Sequence, residues 1–294
     1  MNKHHPLITR RDFLKGTAAA TLAASLSCNP LESIAAAIKP VSTVTIVRDE
    51  KVLDRNQTVN MAALQQMLDQ TVIHVTGMSD VNKAWNHIIR TDDVVGLVPT
   101  PHLNPTHDEL VDLVKASIMQ EVGLDGEHII MAQGGVRRPR KCTALIAMPG
   151  LKAHWLTGTG TVLKNYIMYS GAPTRYHGAK SAKLGEIWLK SEVKDKTRLI
   201  LVDALYPLCD KGPQPDPRYQ WHYNGLIAGT DPVAVETIGL KIITEKRKLL
   251  RGEPWPLQPP PICVEAADKV YGLGNSDWAK IKVNHFGWDE GLLV

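Results

Sequence analysis

The stretch LKAHWLTGTGTVLKNYIM, Leu151 to Met168, sets His154, Lys164 and three threonines around two glycines. LTGTGTV precedes an apolar segment, VLKNYIM, whose pattern predicts a helix. A loop of this kind at a helix start offers unpaired backbone amides beside Gly158 and Gly160, together with the hydroxyls of Thr157, Thr159 and Thr161, an arrangement suited to holding an anion. It is not a nucleotide fingerprint. A Walker loop needs Gly-Lys-Ser/Thr, and the G-x-G-x-x-G pattern breaks at Leu163. A lysine one turn into that helix and close to unpaired amides has its charge disfavoured, so Lys164 is a candidate amine nucleophile. The plainer reading is a lysine whose stem lies along an amphipathic helix while its head reaches water.

Other residues could join this chemistry. Thr106 and Glu109 have the spacing of a capping box, which places His107 in a first helical turn where the dipole favours neutral imidazole, a base or a metal ligand. An exposed first-turn histidine is the alternative. His102 reads as a surface residue. His177, in TRYHG after a Gly-Ala-Pro turn, is the candidate metal ligand or a satisfied loop histidine, and Asn165 and Tyr176 lie close to these groups in sequence. Asp203 ends an apolar run. Asp231 before Pro232 reads as a helix cap. Cys142 and Cys263 read as inert interior residues and Cys209 as more exposed.

Something must bring these residues together. TVTIVR (43–48), VVGLVPT (94–100), HIIMAQ (128–133), ALIAMP (144–149), RLILVDAL (198–205) and GLIAGT (225–230) are short, aliphatic and bounded by Gly, Pro or charge. Continuous apolarity predicts strands buried on both faces. Helix-period segments alternate with them: Asp108 to Val122, Asn60 to Gln70 and Pro232 to Lys246. The expected fold is therefore α/β, a doubly wound, mostly parallel sheet with helices on both faces. Such sheets bind ligands beyond the carboxyl ends of their strands, and polar residues follow several of these runs. The proline-rich tract EPWPLQPPP (253–261) reads as a loop wrapping back over the domain.

The first residues read as an address. Arg10 and Arg11, then Phe13, Leu14 and Lys15, then a small apolar run to Leu26 form a twin-arginine export pattern. The run is shorter than the roughly 20 residues a bilayer span needs. Cleavage is expected after Ala37. Lipid attachment at Cys28 is disfavoured because Ser25 stands where an apolar residue is usual. Loss of residues 1–37 removes four positive and two negative charges, so +4 falls to +2, too close to neutral to argue for nucleic acid. The mature chain, residues 38–294, reads as one soluble α/β domain without membrane attachment. Its three cysteines are widely spaced and form no CxxC pair, which argues against an iron–sulfur cluster and a thiolate zinc site.

VGLVPT with NPTHDELVDLV, then ALIAMPGLKAHWLTGTGTVLKNYIM, YHG, VDALYPLCDKGPQP and GLIAGTDPVAVETIG together resemble the domain of unknown function 362 family. The central motif falls on Lys152, His154, Gly158, Lys164 and Asn165. The resemblance implies fold more than activity. Many relatives carry cysteine clusters that this chain lacks. His154, Lys164 and His177, with His107 upstream, are also similar in order to the amino-terminal domain of the lactate racemase family. That likeness implies a nickel-pincer nucleotide tethered to Lys164, metal ligation by His177, and proton exchange by His107 and His154. The racemase's carboxyl-terminal domain has no counterpart here, and threonines replace much of its glycine pattern.

The expectation is an exported enzyme for a small anionic substrate, with a metal or metallo-organic cofactor at a His/Lys site. The twin-arginine translocase is its partner during export. The alternative is a periplasmic anion-binding or redox-enzyme accessory protein without turnover.

Overall fold

In the computed structural model, which describes residues 41–294, a nine-stranded sheet runs in the order β3-β2-β4-β7-β8-β1-β9. The signal segment, Cys28 and the cleavage position lie outside the described residues. The strands are β1 (Ser42–Arg48), β2 (Val95–Pro99), β3 (Ile129–Met131), β4 (Ala144–Met148), β7 (Thr197–Leu208), β8 (Gly225–Gly229) and β9 (Ile281–Gly287). Beside β7 lie β5 (Gly150–His154) and, paired to it, β6 (Gly158–Thr159). The pairs β2–β3, β2–β4, β4–β7, β5–β7 and β1–β9 are parallel, whereas β8 is antiparallel to both β7 and β1. The sheet is mixed but mostly parallel, as the unbroken apolar runs require.

Alternate residues of β4 enter two different cores. Leu145 and Ala147 face one, and Ala144, Ile146 and Met148 face the other. Helices α1 (Met61–Thr76), α2 (Val81–Ile88) and α3 (Asp108–Val122) cover the second face. Helix α5 (Pro232–Arg251) and helix α6 (Ile262–Lys269) cover the first, beside the single-turn α4 (Gly185–Trp188). Asp231 caps α5 as its sequence predicts, accepting from the amides of Val233 and Ala234.

Two local expectations are overturned. Thr106 does not cap α3: its hydroxyl donates to the Met148 carbonyl and accepts from the Thr100 amide, so it stitches β2 to β4. The cap position belongs to His107, which makes no side-chain cap bond within the helix. Nor does VLKNYIM form an α-helix. It turns through bonds from Asn165 to Val162 and from Ile167 to Lys164, with only the 3₁₀ turn Ile167–Ser170 following. The amide of Leu163 is drawn instead onto the side chain of Glu236.

Strand β5 gives this region its position. β7 is long enough to pair first with β4 and then, after the chain bends at Pro149, with β5. The second half of β7 thus carries β5 beyond the carboxyl edge of the sheet. Close approach fixes Gly150 here, because a Cβ would sit 2.9 Å from the Asn104 carbonyl oxygen.

Candidate functional site

At this carboxyl edge, a cleft of about 170 Å³ is lined by Lys152 and His154 from β5, and by Gly160, Lys164 and Asn165 from the turns that follow. Val98, Pro99, Leu103, Ile167 and Met168 supply much of its apolar wall. Low-dielectric walls around a few convergent polar groups are the usual form of a small-molecule site.

The hydrogen bonds of His154 determine its tautomer. Its Nδ1 accepts the backbone N–H of Leu156 at 3.1 Å and therefore carries no proton. A neutral imidazole then holds its hydrogen on Nε2, and that nitrogen contacts Nζ of Lys164. An ammonium would oppose donor to donor. The lysine is accordingly the free amine, accepting from the imidazole. Electrostatics agree: burial, and then the neighbouring lysine, pull His154 down to about 3, and burial brings Lys164 down to about 7.

Lys152 is the second amine. Its Nζ donates to the carbonyls of Leu103 and Asn104 at 2.8 and 2.9 Å. Both of those residues adopt positive φ, +60° and +62°, which aims two successive carbonyls at one cation. Burial and the proximity of Lys164 lower Lys152 to about 7, whereas the charge of Asp203 opposes the shift. With two acceptors and a carboxylate nearby, Lys152 is the better holder of a proton. Lys164 is the better holder of a lone pair.

The threonines are turned inward. The Thr157 hydroxyl donates to the Thr159 carbonyl, Thr159 donates to Glu236, and the Thr161 hydroxyl bonds the backbone of Lys152. Glu236, fully buried on α5, also accepts the Leu163 amide at 2.8 Å. Burial raises its pKa against these hydrogen bonds. The anion cradle expected at a helix start is thus not built, and the loop is filled by a carboxyl group of the chain itself. Gly158, at φ +76°, is pressed against the proline-rich tract: a Cβ would lie 2.7 Å from the Pro259 oxygen and the Pro261 nitrogen. The tract wraps back over the domain at this tip. Asn165 borders the cleft and donates to the Val98 carbonyl at 3.0 Å.

His107 and His177 do not line the cleft. His107 forms a separate dyad in which Asp203 Oδ2 receives both its backbone N–H and its Nδ1, each at 2.7 Å. Burial opposes the charge on this imidazole, but the field and hydrogen bond of Asp203 outweigh it and raise the pKa. Asp203 lies within β7 and is itself held below the usual carboxylate range: burial raises it, and His107 overcomes that. The ring of His177 is 5.5 Å from that of His154, and its pKa is lowered by burial and by Lys164. His102 is exposed at the cleft mouth. Cys209 is buried, not more exposed than the others, and all three cysteines of the described residues are free.

The donor set does not fit a metal held by the protein. Among the described residues, no group of three or more His, Cys, Asp or Glu is arranged to hold one, and both ring nitrogens of His154 are engaged. A nucleotide tethered to Lys164 would meet a loop whose hydroxyls are already committed.

The family model described as domain of unknown function (DUF362) matches residues 104–241. Over those residues the chain matches a DUF362 domain. The match spans the His107 loop, Lys152, His154 and Lys164, and ends within α5 just beyond Glu236, so it encloses most of the cleft. A twin-arginine translocation signal matches residues 7–27, and the protein is exported by that pathway through its translocase. Among the described residues, no helix is long and apolar enough to cross a membrane. No curated protein and no solved structure matches the chain, so the racemase likeness gains no support there.

In the sequence Asp203 stands out only as the end of an apolar run, and Glu236 does not stand out at all. An acid closing the aliphatic run RLILVD is a signal of a paired or catalytic carboxylate. A glutamate within the apolar turn PVAVE signals a buried partner elsewhere in the chain.

Proposed function

We propose that this exported protein is an enzyme that uses the Lys164 amine on a small anionic carbonyl compound. The observation that carries the reading is the hydrogen bond in which neutral His154 presents Nε2–H to Lys164, since it requires an unprotonated amine inside an apolar cleft. The lone pair of Lys164 attacks the carbonyl carbon, the oxygen gains protons and leaves as water, and a C=N bond remains on Nζ. As Nζ turns to the carbon, the Nε2–H of His154 is freed to hydrogen-bond the departing oxygen, which takes up the two protons that Nζ gives up. Lys152, as the seated ammonium, supplies the charge for the substrate's carboxylate. A nearby cationic group is one way of keeping a catalytic lysine neutral.

Borohydride reduction in the presence of a panel of 2-oxo acids, followed by intact-mass and peptide analysis, tests this. The expected result is a covalent adduct on Lys164, absent from Lys164→Met. Absence of an adduct with every acid sinks the reading.

A second reading, capture of an anion without turnover, draws on the lining of the cleft, which includes two amines and no carboxylate. It predicts acid binding that weakens in Lys164→Met, with no adduct and no product.

A further inference from the structure

We propose that the cleft continues into a second, basic hollow that takes the oxyanion tail of an elongated acidic substrate. The proposal rests on the amine reading in placing the substrate's head at Lys164, but the hollow has support of its own. A cavity of about 550 Å³ lies over the loop that follows β3, lined by Gln133, Gly135, Val136, Arg137, Arg138 and Met168. Gln133 and Met168 line the amine cleft as well, so the two spaces share a wall.

Charge is one-sided across both spaces. The ammonium of Lys152 lines one, Arg137 and Arg138 line the other, and neither lining includes an aspartate or glutamate. The neighbouring Arg140 shows how such a charge is ordinarily settled, with its Nε donating to Glu192 at 3.0 Å. Arg137 and Arg138 have no carboxylate within ion-pair distance among the described residues. Arg138 is tethered through one nitrogen to the Met131 carbonyl at 2.9 Å, which fixes its planar fork relative to the end of β3. A guanidinium held in this way suits the paired oxygens of a carboxylate or phosphate.

The junction carries an independent sign of a missing partner. The Oε1 of Gln133 is buried and has no hydrogen-bond partner. Leaving a buried amide group unsatisfied is costly, and a side chain shared by two hollows, turned about its last torsion, presents its N–H to an oxyanion ligand spanning both. The ligand class is therefore a 2-oxo acid with a second, distal acid group.

Pyruvate and 2-oxoglutarate differ in that distal group. In borohydride trapping on the exported chain, 2-oxoglutarate should label Lys164 at a concentration about tenfold or more below that needed for pyruvate. The double variant Arg137→Gln, Arg138→Gln should lose the preference while pyruvate labelling is unchanged. Equal labelling by the two acids, or a preference that survives in the variant, overturns the proposal.

Calorimetric titration with inorganic pyrophosphate reads the hollow without the amine. It should bind wild type and Lys164→Met alike, and about tenfold or more weakly in the double arginine variant. Binding that ignores the arginines, or no binding to wild type, also overturns the proposal. If pyrophosphate behaves as expected and no adduct ever forms, the imine reading fails and the hollow stands.

Discussion

His154 donates a hydrogen bond from Nε2–H to Nζ of Lys164 because its Nδ1 already accepts the backbone N–H of Leu156. One amide two residues along the chain thereby determines the protonation state of a lysine ten residues away. A proton added to the amine would oppose Nε2–H, and one added to the ring at Nδ1 would oppose the Leu156 amide.

Labelling of Lys164 by an amine-directed reagent should follow from this. The rate should rise with pH around a midpoint near 7, because burial lowers the amine to about that value. A midpoint near the ordinary 10.5 would show that the ammonium persists in the cleft.

The neutral amine shapes stability too. Between about 7 and 10.5 the folded Lys164 is neutral while the unfolded chain keeps its proton, so stability rises with pH across that window. The desolvation cost is fully present below it. Urea midpoints measured at pH 6.5 and 9 should increase, and the increase should shrink in Lys164→Met.

Glu236→Gln should destabilise the site loop. Two acceptor oxygens hold the Thr159 hydroxyl and the Leu163 amide, and a carboxamide offers only one oxygen. Leaving one buried donor unmet costs about 1–3 kcal/mol. Thermal unfolding reads the loss, and an unchanged midpoint contradicts the assignment.

Asp203→Asn should shift the His107 titration downward, followed by imidazole proton resonances. The raised pKa of His107 depends on the carboxylate, and without it burial prevails. The ion pair contributes stability between the depressed pKa of Asp203 and the raised pKa of His107. That contribution is lost as pH falls through the first or rises through the second.

Gly158→Ala should cost at least the roughly 1–2 kcal/mol of a left-handed backbone carrying a Cβ. It should also displace the proline tract, since that Cβ would meet Pro259 and Pro261 at 2.7 Å. Proteolysis near residues 253–261 should accelerate.

The sheet was legible because burial on both faces leaves an unbroken apolar run. β4 and β8 begin where ALIAMP and GLIAGT begin, and α3 covers the predicted Asp108–Val122. β9 escaped because it is a half-buried edge strand, IKVNHFG, in which polar and apolar residues mix. Within the site, His154 and Lys164 are brought together as their spacing suggested, but the helix between them and the anion cradle are not formed. Local propensity reported VLKNYIM as helical, whereas Glu236, more than seventy positions downstream, takes its amide. His107 was placed at the right edge with the wrong neighbour, because Asp203 lies ninety-six residues away and no local pattern connects them.

Cys142, Cys209 and Cys263 are each buried and unbonded in a protein that leaves the cytoplasm. Exported compartments convert exposed thiols to disulfides, and an odd number of them would leave one to pair with a stranger. Burial of all three in the core removes that hazard at its source. For this chain packing is a form of chemical protection: the thiols of the described residues are withdrawn from the oxidants outside.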